Sequence, residues 1–165
     1  MIEYKNILFC TDFSEDANIA FLHALNLAKK YGAKLHILHM PHSPFRYTKH
    51  VVDEHIPAGE SEDGQAFFDQ KIIDEARIRL RSEYESRIGD YKSYKFEVAC
   101  GAADIEIIRY AKKNNIDLIV MGALGKPDDN KPGKGSTVAS VSRYAHCHVM
   151  AIRNPLRQFT SPIKG

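Results

Sequence analysis

Short unbroken apolar runs alternate along this chain with longer stretches in which apolar residues return every three or four positions. These are the two periods of buried strand and amphipathic helix. Ile7-Leu8-Phe9-Cys10 is the first run, and its polar neighbours on both sides predict a strand buried on both faces. Ser14 is placed to cap a helix, with Glu15 and Asp16 in its positive first turn. Ala17, Ala20 or Phe21, Ala24, Leu27 or Ala28 and Tyr31 then fall on one helical face, and Gly32 stands where that helix would stop. Leu35 to Met40 supplies a second strand. Together these segments form a strand–helix–strand unit, the sequence form of a parallel crossover.

The pattern breaks over 41–64, where Pro41, Pro44, Pro57, Gly59 and Gly64 fall without periodicity; a connection that long predicts a flap or an insertion. Helical spacing resumes with Phe68, Ile72, Ala76, Leu80, Tyr84 and Ile88, while Arg77, Arg79, Arg81, Glu83 and Glu85 read as the solvated face. Lys95 to Cys100 predicts a third strand closed by Gly101, and Ala103 to Asn114 a third helix with Ile105, Ile108 and Ala111 turned inward. Asp117 to Met121 is a fourth strand; a glycine-rich loop runs from Gly122 to Gly135, a short helix starts at Ser136, and Val149 to Ile152 is a last strand. Strands and helices in strict alternation predict one α/β domain, a doubly wound (Rossmann-like) five-stranded parallel sheet with four helices. That domain is expected to occupy 1–154, including the insertion 41–64, with 155–165 as a C-terminal tail.

Composition narrows the function. The chain has 165 residues, 44% of them hydrophobic and 27% charged, which is a globular balance and excludes wholesale disorder. A net charge of +2 is too even to suggest a nucleic-acid or anionic-membrane partner. No apolar stretch has the length of a membrane span, and the start of the chain lacks an apolar export segment, so a cytoplasmic location is expected. Cys10, Cys100 and Cys147 are widely spaced and read as buried, inert thiols in a reducing compartment.

Ligands of doubly wound sheets collect at the carboxyl ends of strands, where strand order reverses. Two strand-to-helix loops carry chemistry there. The first is Thr11-Asp12. The second is Gly122-Ala123-Leu124-Gly125 followed, nine residues on, by Gly135-Ser136-Thr137. Glycines let backbone approach a ligand closely, and Ser136 and Thr137 open a helix whose amides and dipole favour an anion. Lys126, Lys131 and Lys134 add positive charge, which Asp128 and Asp129 oppose. A tight turn and an ordinary helix cap would account for the same residues without a ligand. Two phosphate motifs are absent: Gly133-Lys134 is followed by Gly135 where a Walker A loop needs Ser or Thr, and no Gly-x-Gly-x-x-Gly follows the first strand.

Gly122-x2-Gly125-x9-Gly135-Ser136 resembles the ATP-binding signature of the universal stress proteins. The likeness extends to Lys5 through Ser14, to Asp117 through Gly122 and to Ala145 through Val149, and it covers about 2–40 and 94–154. It implies an adenine-nucleotide pocket in which Asp12 contacts ribose or base and Met40 lines the adenine. Main chain at Met121 and Gly122, beside Thr11, completes the nucleoside side, and Gly125, Lys126, Gly135, Ser136 and Thr137 hold the phosphates. Two departures stand out. The stretch 126–134 is wholly polar, and its Asp128 and Asp129 would repel a triphosphate unless a divalent cation such as Mg2+ intervened; His148 stands where proline is common.

The expected function is that of a homodimeric, ATP-binding stress-response protein with no catalytic residue. The alternatives are a slow ATPase or nucleotidyl-transferring enzyme and a ligand-free dimeric interaction module. Any hydrolysis is expected to be slow, because no positioned general base or acidic metal pair accompanies the loop. Metal binding by His146 and His148, or by His42, His50 and His55, finds no support in their spacing. The last strand has no later strand to cover it and is expected to pair with its copy in a homodimer, with no nucleic-acid or membrane partner.

Overall fold

The computed structural model describes residues 1–41, 62–124 and 137–156, with backbone only over 62–69. Five strands and four helices follow in the order β1 (Asn6–Thr11), α1 (Glu15–Tyr31), β2 (Lys34–His39), α2 (Glu62–Ile88), β3 (Tyr94–Val98), α3 (Ala103–Lys113), β4 (Leu118–Gly122), α4 (Thr137–Tyr144) and β5 (His148–Ile152). All strand pairs are parallel, in the spatial order β3-β2-β1-β4-β5. The chain winds outward from β1 through β2 to β3, then returns across the sheet to lay β4 on the other side of β1. The order therefore reverses between β1 and β4, as a doubly wound sheet requires.

The alternation of β1 sorts the core into two layers. Ile7 and Phe9 face α1 and α2 and pack with Phe21, Leu80 and Tyr84. Leu8 and Cys10 face α3 and α4 and pack with Ile107, Ala111 and Val141. Helix α1 lies close to the sheet where its inner face presents methyl groups, at Ala17, Ala20, Ala24 and Ala28, all buried. Its ends are those the sequence predicts: Ser14 accepts from the Ala17 amide at 3.2 Å, and Gly32 takes a left-handed φ of 65°. At the amino edge of the sheet, Asp117 accepts from the Lys5 and Asn6 amides at 2.7 and 2.8 Å and so fixes the register of β4 on β1.

Three expectations need correction. Ile105 is not on the inner face of α3; it is 53% exposed, and Ile107 is buried in its place. Helix α2 starts at Glu62, inside the stretch read as insertion. Cys100 lies beyond the end of β3 and is only half-buried, as is Cys147, whereas Cys10 is buried. The charged positions of α2 are solvated as read, although Arg79 and Arg81 also lie over the rings of Phe13 and Phe96, at 4.0 and 5.3 Å. Among the described residues no helix is long and apolar enough to cross a membrane.

Strand β5 is an edge of the sheet, as expected. The His148 amide donates to the Asp117 carbonyl at 3.3 Å, and the Ile152 carbonyl accepts from the Ala123 amide at 2.6 Å. Alternation then points the amides of Val149 and Ala151 away from β4, to the open side.

Candidate functional site

At the end of β1 the chain must leave the sheet and enter α1 within three residues. It does so through Phe13, a non-glycine residue with φ of 61°, held by a tilted ring contact with His39 (centroids 4.5 Å apart) and by the Arg79 guanidinium. Asp12 accepts from the Ser14 amide at 2.9 Å, which closes the turn and places its carboxylate beside the sheet edge. Thr11 is buried, and its hydroxyl bonds Tyr84 at 2.6 Å and accepts from the Phe13 amide at 3.0 Å. The hydroxyl thus serves the α2 face of the sheet, and the cleft on the opposite face meets Thr11 through its main chain.

That cleft opens to solvent between the carboxyl ends of β1 and β4, on the α3 and α4 side, with a cavity of about 140 Å³. Six of the residues singled out from sequence line it: Thr11, Asp12, Met40, Met121, Gly122 and Thr137. Its apolar side is completed by Cys10, Ile107 and Val138, which the sequence reading did not assign to a site. Gly125, Lys126, Gly135 and Ser136 lie outside the described residues, as do Asp128, Asp129, Lys131 and Lys134. Of the described residues near either end of that stretch, Ala123 and Thr137 line the cleft. His42, His50, His55, Asp53 and Glu54 also lie outside the described residues.

The chemistry of the cleft is that of a binding site. Thioether and aliphatic surface from Met40, Met121, Ile107 and Val138 suits a flat apolar group, and Asp12 offers an acceptor at one end. Helix α4 begins at the cleft with Thr137, and α3 begins there without a side-chain cap from Ala102, so helix amides and dipoles supply a positive end. Burial pushes the Cys10 thiol well above its ordinary range, which leaves it protonated and poorly nucleophilic. His146 and His148 are exposed while Cys147 between them is half-buried, the alternation read from the sequence. Among the described residues no group of three or more His, Cys, Asp or Glu side chains is placed to hold a metal.

Gly122 has a second duty that sequence reasoning missed. A Cβ there would stand 2.8 Å from the Ala17 nitrogen and 2.9 Å from Asp16 Cβ, so α1 docks directly on the end of β4. Asp16, read from sequence as a first-turn acid, is 0% exposed. It accepts from the Leu124 amide at 3.0 Å and from the Asn154 amide at 3.2 Å. The signal was present: Asp16 heads the four-residue series Ala20, Ala24, Ala28 that forms the buried face.

The cleft thus offers apolar walls, a carboxylate at one end and helix amides toward an anion. Comparison with known proteins agrees with the fold. A sequence model of the universal stress protein family matches residues 3–153. A universal stress protein of Methanocaldococcus jannaschii is 27% identical over 94% of this chain and 85% of its own length. A putative universal stress protein of Staphylococcus aureus is 30% identical over 93% and 86%. Among solved structures, UspA from Lactobacillus plantarum matches with a TM-score of 0.67 at 27% identity, over 93% of this chain and all of that one. Two more distant structures share the fold: a universal stress protein in complex with cAMP (21% identity, TM-score 0.57, 92% of this chain and 98% of that one) and one from Archaeoglobus fulgidus in complex with dAMP (17%, 0.52, 92% and 99%). With nearly its whole length matched by the family model, this chain belongs to the universal stress protein family.

Proposed function

We propose that this protein binds an adenine nucleotide, ATP with a divalent cation, in the cleft between β1 and β4, and acts as a cytoplasmic, homodimeric regulator in stress. The observation that carries the reading is convergence: residues from the ends of β1, β2 and β4 and from the start of α4, distant in sequence, meet around one cleft at the reversal of strand order. Met40 and Met121 would hold the adenine, Asp12 the ribose or base, and main chain at Thr11 and Gly122 the rest of the nucleoside. Gly125, Lys126, Gly135, Ser136 and Thr137 would receive the phosphates, with Mg2+ offsetting Asp128 and Asp129. Fold relatives that hold cAMP and dAMP support an adenine ligand.

Asp12→Asn keeps the turn to the Ser14 amide and removes the charge. It is expected to weaken ATP binding about tenfold, the loss of one charge-assisted hydrogen bond, with little change in thermal stability. Calorimetry with ATP and Mg2+ checks it. An absence of heat for the unaltered protein at high micromolar concentration would overturn the nucleotide reading.

Pairing of two β5 edges across a two-fold axis would satisfy the Val149 and Ala151 amides and cover half-buried Val149. Because the Ala151 amide faces the open side, Ala151→Pro removes an edge donor and leaves the β4 ladder intact. Light scattering is expected to find a dimer at tens of micromolar (roughly, for an edge-strand pair) and a folded monomer for the variant. A monomeric unaltered protein sinks the pairing.

A further inference from the structure

The residues on either side of Asp12 are held from the face of the sheet opposite the cleft. The Thr11 hydroxyl accepts from the Phe13 amide at 3.0 Å and meets the Tyr84 hydroxyl at 2.6 Å. The Tyr84 hydroxyl in turn lies 3.3 Å from Asn18 Oδ1 on α1, which also accepts from Arg87 Nη1 at 3.2 Å. The direction of this chain is fixed at its far end. A guanidinium has no acceptor, so the Asn18 atom beside it is the amide oxygen, and Tyr84 can only donate to that oxygen. Tyr84 then accepts from Thr11, whose oxygen accepts from Phe13. Tyr84 is fully buried, and burial raises its hydroxyl above the ordinary range, so it stays protonated. Two further contacts clamp the same turn. The Phe13 ring lies parallel to that of Tyr84 with centroids 6.1 Å apart, and His39 Nδ1 is 2.8 Å from the Thr11 carbonyl oxygen. The left-handed φ of 61° at Phe13 is costly for a bulky residue and persists only where its surroundings impose it. Between these two held residues stands Asp12, which lines the cleft and whose Oδ1 accepts from the Ser14 amide at 2.9 Å.

We infer that Tyr84 is a positioning residue for the cleft: through Thr11 and Phe13 it holds Asp12 at the cleft wall, and so ties ligand affinity to the seating of α2 on the other face of the sheet. This rests on the nucleotide reading above, in which Asp12 holds ribose or base, and it adds the residue that presents Asp12. Tyr84 packs in the α1 and α2 layer of the core and does not touch the ligand. It acts through the turn, so its effect on affinity should vanish once Asp12 no longer makes its charged contact.

The test is a double-mutant cycle on ATP affinity, read by calorimetry with Mg2+ beside thermal melts. Tyr84→Phe removes one hydroxyl and keeps the ring contacts with Phe9, Phe13 and Phe21. ATP affinity is expected to fall about fivefold, the loss of one neutral hydrogen bond. In an Asp12→Asn background the same change is expected to cost less than about twofold. Tyr91→Phe is the control, because its hydroxyl bonds the Ala28 carbonyl at 3.1 Å, at the opposite end of α1. Both tyrosine variants should lower the Tm by about 3 °C, and Tyr91→Phe should leave ATP affinity within about twofold. Should Tyr84→Phe fail to fold, Thr11→Val cuts the chain at its other end and is expected to show the same loss and the same dependence on Asp12. An undiminished cost in the Asp12→Asn background, or an equal loss in Tyr91→Phe, would make Tyr84 merely structural and overturn the inference, as would unchanged affinity in Tyr84→Phe. Failure of the unaltered protein to bind ATP would instead overturn the nucleotide reading itself, and this inference with it.

Discussion

Replacing Gly122 with valine is expected to destabilise the ligand-free protein by about 3 kcal/mol, the upper part of the usual range for overpacking a dense interface. For a domain of this size that corresponds to a Tm lower by roughly 6–12 °C. The first added carbon would meet the Ala17 nitrogen at 2.8 Å and the Asp16 carbonyl carbon at 3.0 Å, both main-chain atoms of a capped helix with no rotamer to yield. Helix α1 would have to lift from β4, and with it the methyl seam of Ala17, Ala20 and Ala24, which is fully buried against the sheet. Differential scanning calorimetry without nucleotide decides the matter. If Gly122 served only to let a ligand approach the backbone, the ligand-free melt of Gly122→Val would match that of the unaltered protein. Gly122→Ala, with one carbon at the same position, should lie between the two.

The same glycine shows what the sequence could convey. Its spacing to Gly125 and Gly135 pointed to a loop beside a ligand, and the structure does place Gly122 on the cleft. Spacing could not show that helix docking also demands it, because that contact joins residues more than a hundred positions apart. Strands β1, β2 and β4 were legible because a central strand of a parallel sheet is apolar on both faces, and α1 because both of its caps lie in the sequence. The inner face of α3 was not. Ile105, Ile107 and Ile108 fall within one turn, and more than one of the stripes they form with Ala111 satisfies a helical period. Docking against Leu8 and Cys10 chose Ile107, a selection local periodicity does not contain. The burial of Asp16 was not legible for a related reason. A first-turn acid is favourable whether or not it is buried, so propensity could not separate the two cases. Only its place at the head of the alanine series could. Of the cleft, the resemblance supplied the roles and the topology supplied the meeting point at β1 and β4. Thr11 shifted in meaning, its hydroxyl claimed by Tyr84 across the sheet.

His36 is expected to make the fold acid-sensitive. It sits mid-strand in β2, flanked by Leu35 and Ile37, and is 3% exposed. Its Nδ1 lies 2.9 Å from the Tyr110 hydroxyl, and its Nε2 is buried without a hydrogen-bond partner among the described residues. Burial, reinforced by the ammonium groups of Lys95 and Lys34, pulls the imidazole down to about 4 from an ordinary 6.5. The folded protein therefore holds His36 neutral across a range in which the unfolded chain takes up a proton. Stability from this group is complete above about pH 6.5, declines as pH falls, and levels off below about 4. Between pH 7 and 4.5 the loss amounts to about 2–3 kcal/mol. His36→Leu removes the titration together with the orphaned Nε2, and Tyr110 keeps its hydrogen bond to Lys95. The variant is expected to match the unaltered protein at pH 7 to within about 1 kcal/mol. At pH 4.5 it should be the more stable of the two by most of that 2–3 kcal/mol. Carboxylates titrate in both proteins and cancel in the comparison. Urea midpoints at the two pH values read the difference directly, and equal losses on acidification would show that His36 does not stay neutral in the fold.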